Sequence, residues 1–192
     1  MPKFKQQEEQ RAVIKTRSGK YINLLEPQWM IDLIDIDDIA HALSKNNRFG
    51  GHTSRPYTVG EHSLLGVPYC QPANRLEFLL HDAPEAYLGD TVGPLKRTGL
   101  FDAYRELEER WWHAIAERFG LRRDLPREIH EVDKRMLVTE QRDLMGRPPS
   151  SSDDYKPFVM SIPAAAPSCD ETARRFIAKF YQLTKSTVGA KK

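Results

Sequence analysis

The apolar positions change rhythm once along the chain. Near the N-terminus, Val13-Ile14 and Tyr21-Ile22 flank Ser18-Gly19, which predicts a β-hairpin over residues 12–24 with a two-residue turn. Beyond it the spacing is helical. Ile36, Ile39, Ala40 and Leu43 share one face behind Asp35, an N-cap, and that helix runs to about Ser44. RFGGHTSRPY is too rich in Gly and Pro for a regular element and reads as a loop. Thr58-x-x-Glu61 is a capping box that opens a helix toward Tyr69, with His62 in its first turn. A further helix starts at Asn74, with Glu77 three residues on and Leu76, Leu79 and Leu80 on its buried side. Pro84 disfavours an α conformation at Ala83, so this helix is expected to end or kink just after His81-Asp82.

Residues 101–119 form a long amphipathic pattern, with Tyr104, Leu107, Trp111, Ile115 and Phe119 inward and Gly120 at the C′ position. Leu125-Pro126 opens another helix to about Met145. RPPSSSDDYKP is a polar loop, and Ser168-x-x-Glu171 caps a last helix that turns Ala173, Phe176, Ile177 and Phe180 inward. The expectation is an all-α fold with a small N-terminal hairpin. One domain spans residues 12–184, between a disordered N-terminus (1–11) and a flexible tail (185–192).

Composition narrows the partners. A chain of 192 residues buries a sizeable core as one domain. Its formal charge of +2 gives no global field for a nucleic acid polymer or an anionic membrane, whereas a small anionic ligand needs only a local basic cluster. Cys70 and Cys169 are far apart and form no C-x-x-C, which reads as two free thiols in a reducing compartment. With no apolar run of spanning length and no secretory leader, a cytoplasmic protein is expected, in a bacterial cell or a phage-infected host.

Four side chains carry the candidate chemistry. Asp133 sits in the apolar stripe Ile129, Val132, Met136, Leu137, Leu144, where a buried carboxylate needs a cation or strong donors. Alone, it reads equally as half of a buried ion pair. His81-Asp82 closes an apolar helix, and His81 alone reads as a satisfied core histidine. With His62 from a separate helix start, the two imidazoles and two carboxylates form a ligand set for one transition metal ion. No P-loop, H-E-x-x-H or G-x-S-x-G motif competes.

The segments RFGGHTSRPYTV (48–59), GEHS (60–63), LLHDAPEAYLGD (79–90) and VDKRML (132–137) resemble the HD-domain metal-dependent phosphohydrolases. Within that superfamily they are most similar to small bacterial and phage nucleotide hydrolases, which include 5′-deoxynucleotidases and phage dATP triphosphohydrolases. The similarity covers roughly residues 20–145. It implies that His62, His81, Asp82 and Asp133 are metal ligands and that Glu85 handles the proton of the attacking water. It further implies that Asp90 helps place water or substrate and that Arg48 holds the substrate. Phe49 stands where related nucleotidases often carry Trp, which keeps an aromatic face for a base. His52, Arg55, Lys96 and Arg97 are candidate phosphate contacts, and Phe49 and Tyr87 candidate stacking residues. Trp111 and Trp112 read as core or interface.

The reaction implied is in-line attack of metal-bound hydroxide on the α-phosphorus of a nucleotide. It releases nucleoside with phosphate or, from a dNTP, with triphosphate. The ligand mix suits Co, Mn, Zn, Fe or Ni, and Asp82 can bridge to a second ion such as Mg. The resemblance also implies a homodimer or higher homo-oligomer, through the Trp111–Trp112 helix or the C-terminal helix. The competing reading is a non-catalytic nucleotide-binding or regulatory module of the same fold, against which the retained ligands and Glu85 argue.

Overall fold

The computed structural model describes residues 12–147 and 154–189. The expected disordered stretch at 1–11, the centre of the polar loop (148–153) and the last residues of the expected tail (190–192) lie outside the described residues. The chain is mostly helical, with one antiparallel hairpin, β1 (Val13–Lys15) and β2 (Tyr21–Asn23), in the register Ile14↔Ile22.

The hairpin turn takes three residues, not two. Thr16 N donates to Lys20 O at 2.9 Å, Gly19 N donates to Thr16 O at 3.0 Å, and Gly19 alone takes a positive φ, of 87°. A two-residue turn ending in glycine would need Ser18 left-handed as well, which costs an ordinary residue about 1–2 kcal/mol. Ser18 instead donates from its backbone N and its Oγ to the buried Asp38 carboxylate, at 2.9 and 2.6 Å. That pair and Lys20–Asp35 (2.7 Å) moor the hairpin to the first helix, with Ile22 fully buried beneath it.

Helix α1 (Ile36–Leu43) begins at Asp35, whose side chain accepts from Asp37 N. Helix α2 (Val59–Gly66) begins at Thr58, whose hydroxyl accepts from Glu61 N at 3.2 Å. Only half of the expected capping box forms, because the Glu61 carboxylate turns to Arg55. Helix α3 (Arg75–Leu80) has no side-chain cap: Asn74 and Glu77, read as a start signal, are spent on Glu128 and Arg122.

Helix α3 stops before the His-Asp pair. Pro84 has no N–H for the Leu80 carbonyl, and that carbonyl accepts instead from Ala83 N at 2.8 Å. The i→i+3 pattern continues through Glu85 N→Asp82 O (3.0 Å) into the short helix α4 (Glu85–Leu88). At three residues per turn, Asp82 and Glu85 fall on one side of the chain.

Four helices complete the fold: α5 (Gly93–Lys96), α6 (Asp102–Phe119), α7 (Arg127–Leu144) and α8 (Cys169–Gly189). Gly120 ends α6 in the left-handed conformation, and Ser168 Oγ accepts from Glu171 N at the start of α8. Helix α8 runs past residue 185, where the flexible tail was expected to begin. It packs across α1, α2 and α3, while α2 also meets α7. Trp111 and Trp112 are buried within the chain and donate to the carbonyls of Leu24 and Arg123, so both indoles belong to the core. Among the described residues, no helix is long and apolar enough to cross a membrane.

Gly66 sets the spacing of α2 and α3. A Cβ there would lie 2.2 and 2.3 Å from Cε1 and Cζ of Phe78, a fully buried ring. Phe78 in turn packs against His81 and His62, at centroid distances of 4.6 and 5.9 Å. Gly66→Ala is therefore expected to destabilise the fold by about 1–3 kcal/mol, or some 2–4 °C of Tm per kcal/mol for a chain this size. Thermal unfolding checks this, and an unchanged Tm would contradict the close approach.

Candidate metal centre

Three elements converge at the end of α3. His62 comes from the first turn of α2 and is fully buried; His81 and Asp82 come from the tight turn after α3; Asp133 comes from the middle of α7. His62 Nε2 lies 3.8 Å from Asp82 Oδ2 and 3.4 Å from Asp133 Oδ1. His81 Nε2 lies 3.3 Å from Asp82 Oδ1 and 4.0 Å from Asp133 Oδ1. The ligand atoms of His62, His81 and Asp82 all fall within 4.8 Å of one another, so this group could hold a metal ion, with Asp133 at its edge.

The imidazole orientations fit that use. Each Nδ1 faces an acceptor: the Phe78 carbonyl at 2.6 Å for His81, and the Glu140 carboxylate at 2.5 Å for His62. With the proton on Nδ1, each Nε2 carries the lone pair. Both Nε2 atoms are buried without a hydrogen-bond partner and point at the carboxylates. Two buried, unpartnered lone-pair nitrogens beside two carboxylates are a poor protein interior and a good donor set for a divalent transition ion.

Arg48, from the turn Arg48–Gly51 between α1 and α2, reaches the same carboxylates. It lies 3.2 Å from Asp82, 3.9 Å from Asp133 and 3.3 Å from Glu140. Burial works against its charge, but Glu140, Asp82, Asp133 and Glu85 outweigh burial and keep it cationic. Asp82 is likewise penalised by burial, yet His81, His62 and Arg48 hold its carboxyl down at about 2. Next to Arg48, Phe49 has a left-handed backbone (φ 56°, ψ 25°), unique among the described non-glycine residues, and its ring centroid lies 5.8 Å from the guanidinium. Strain of this kind collects at functional sites.

The two carboxylates of the group form part of the wall of a cavity of about 550 Å³, behind which the two imidazoles lie. Arg48, Phe49, His52, Glu85, Asp90, Lys96 and Arg97 line it, as do Asp82 and Asp133. A second cavity of about 360 Å³ shares Asp82, Glu85, Lys96 and Asp133 with the first. Glu85 is buried between them. Its Oε1 accepts from Lys96 Nζ at 3.0 Å, while its Oε2 is buried without a partner. Burial, then the nearby Asp82 carboxylate, pushes the Glu85 carboxyl well above the usual range, against the pull of Lys96. Burial also raises Asp90, and there Arg48 opposes the shift.

Two expected substrate contacts lie elsewhere. Tyr87 faces the core and stacks on Trp111 at 4.1 Å, outside the cavity lining. Its place in α4, two residues beyond Glu85, turns it to the opposite side of the chain. Arg55 is locked in a two-pronged pair with Glu61 (2.9 and 2.7 Å) and donates to the carbonyls of Pro56 and Pro163, so it braces the start of α2. Lys96 does reach the cavity, but its ammonium is held between Glu85 and Glu108, at 3.0 and 2.7 Å.

Sequence reasoning missed Glu140, Glu108 and Lys134. Glu140 left a signal: it falls in the four-residue series Val132, Met136, Glu140, Leu144, whose other members are all buried. Lys134, on the cavity wall, sits on the polar edge of α7 and left none.

No family model matches the chain. The uncharacterized protein YfdR of Escherichia coli (strain K12) is 40% identical over 157 residues, which cover 80% of this chain and 82% of that protein. An uncharacterized protein of Rhodobacter capsulatus is 41% identical over 133 residues, 65% of this chain and 66% of its own length. At that identity and coverage, the chain belongs to the family of the Escherichia coli protein YfdR.

Proposed function

We propose that this protein is a metal-dependent phosphohydrolase that cleaves the 5′ phosphate ester of nucleotides, 2′-deoxynucleotides foremost. It releases nucleoside with phosphate from a dNMP, or with triphosphate from a dNTP, of which dATP is the favoured case. The observation that supports this best is the meeting of two lone-pair imidazole nitrogens and two carboxylates at the wall of a cavity that also carries Arg48, Arg97 and Lys134.

His62, His81, Asp82 and Asp133 would hold the ion, with Mn, Co, Fe, Ni or Zn suited to the donor set. Bound there, a divalent ion supplies Lewis acidity and lowers the pKa of water. The remaining work falls to the chain. Arg48 presents a fixed positive charge beside the ligand carboxylates, where the charge of a phosphoryl group would be met. Arg97 and Lys134 line the cavity without an ion-pair partner among the described residues, so their charge is available to further phosphate oxygens. Glu85, whose carboxyl burial pushes up, stands at the end of the tight turn as the proton carrier. Lys96 fixes its Oε1, and its unpartnered Oε2 is the atom free to give or take that proton. Phe49 offers an aromatic face to the base or sugar.

A product assay tests the reading. Protein loaded in turn with Mn, Co, Zn and Mg is offered the four dNMPs and four dNTPs, and phosphate and triphosphate are measured separately. Metal-dependent release of one of them is expected. Nucleotide binding without turnover under every metal, unaltered in Glu85→Ala, would favour the non-catalytic module.

A further inference from the structure

We propose that Glu140 is a positioning residue that ties the metal group to the phosphate-facing arginine, holding His62 with one carboxylate oxygen and Arg48 with the other. Glu140 lies on α7 two turns beyond Asp133 and is fully buried. Its Oε1 stands 2.5 Å from His62 Nδ1 and accepts from the Tyr57 hydroxyl at 3.0 Å; its Oε2 stands 3.3 Å from Arg48 Nε. The Oε2 contact is an ion pair without a hydrogen bond, and the carboxylate does not line the cavity, so Glu140 acts only through its neighbours.

Toward His62 the consequence is a fixed tautomer. A carboxylate accepts and does not donate, so the imidazole proton stays on Nδ1 and the Nε2 lone pair stays aimed at Asp82 and Asp133. Toward Arg48 the consequence depends on how the guanidinium is divided. Its Nη1 and Nη2 face Asp82 and Asp133, at 3.2 and 3.9 Å, whereas Glu140 meets it from the Nε side. With Asp82 and Asp133 engaged by an ion, the Nη donors turn from ion-pair partners into donors for a phosphate in the cavity. Glu140 keeps the guanidinium in register as that happens. One buried carboxylate therefore couples metal loading to anion affinity. The Arg48 half of this proposal rests on the phosphohydrolase reading; the His62 half does not.

The test compares the full-length protein with Glu140→Gln, which keeps the shape and an acceptor for Nδ1 but removes the charge. Titration calorimetry with Mn²⁺ or Zn²⁺ is expected to show an affinity loss of about 10- to 100-fold. Inorganic phosphate, used as the anion probe, is expected to bind metal-loaded wild type more tightly than the metal-free protein, with the difference reduced in the variant. A variant with a lowered metal-free Tm but wild-type metal affinity would make Glu140 merely structural and overturn the proposal. A phosphate response equal to wild type would overturn the Arg48 half. Should the variant not fold, long-range ¹H–¹⁵N spectra of metal-free wild type decide the His62 half: a protonated Nδ1 is expected, and a protonated Nε2 overturns it. Wild type that turns over no nucleotide, yet shows these metal and tautomer results, would sink the hydrolase reading and leave the positioning of His62 intact.

Discussion

Asp133→Ala is expected to abolish metal retention and turnover together while leaving the helical content unchanged. The two effects separate because of where the carboxylate sits. Its Oδ1 lies 3.4 and 4.0 Å from the two Nε2 atoms, so its loss removes an anionic wall of the metal group. Its side chain is 27% exposed at the cavity, so its removal leaves no void in the core. Alanine is the best helix former, and Val132 and Met136 still bury the same face of α7. Arg48 keeps Asp82 and Glu140 as partners, and the like-charge repulsion among the carboxylates is relieved. The metal-free variant should thus stay within about 1 kcal/mol of wild type in stability. Elemental analysis after gel filtration reads metal content, circular dichroism reads helicity, and the product assay reads turnover. A variant that retains metal and full activity would remove Asp133 from the site.

The parts of this molecule that were legible beforehand are those written in local chemistry. Asp35, Thr58, Ser168 and Gly120 bound their helices where capping predicts, because a cap is a short-range bond between one side chain and the adjacent turn. Asp133 lies within the apolar stripe in sequence, but its side chain is 27% exposed and stands 3.4 Å from His62 Nε2. The residues that were misread are those whose choice of partner is tertiary. Glu61 and Arg55 look like a capping acid and a loop cation, and each is consumed by the other. Tyr87 has the composition of a stacking residue, but Trp111, from a helix distant in sequence, occupies its face. Glu140 shares the buried series of α7, but its partners Tyr57, His62 and Arg48 come from segments distant in sequence. The end of α3 is an intermediate case. Pro84 breaks the helix as its missing N–H predicts, but its effect falls on the carbonyl four residues earlier, so the helix closes before the His-Asp pair.

Glu85→Gln is expected to lower kcat by about 10²- to 10⁴-fold, the range for loss of a general acid or base, with metal affinity unchanged. The amide is nearly the size of the acid and still accepts from Lys96, so the local geometry survives. Lys96 also keeps its pair with Glu108, at 2.7 Å. What disappears is the transferable proton. The same substitution has a stability signature with a definite sign. Burial raises the Glu85 carboxyl above its unfolded value, so between those two values the native state binds a proton that the unfolded state has lost. Stability then falls as pH rises, by at most about 1.4 kcal/mol per pH unit for one proton, and the decline stops once pH passes the folded value. Glutamine has no such proton and removes that slope. Metal-free Glu85→Gln should gain on wild type as pH is raised from 5 to 8, measured by thermal or denaturant unfolding. The variant would lose less stability than wild type as pH rises and would be the poorer enzyme, as expected where a buried acid is retained for chemistry at a cost to the fold. Parallel stability curves for the two proteins would show that Glu85 ionises freely in the folded state. A kcat within a factor of two of wild type would take it out of the reaction.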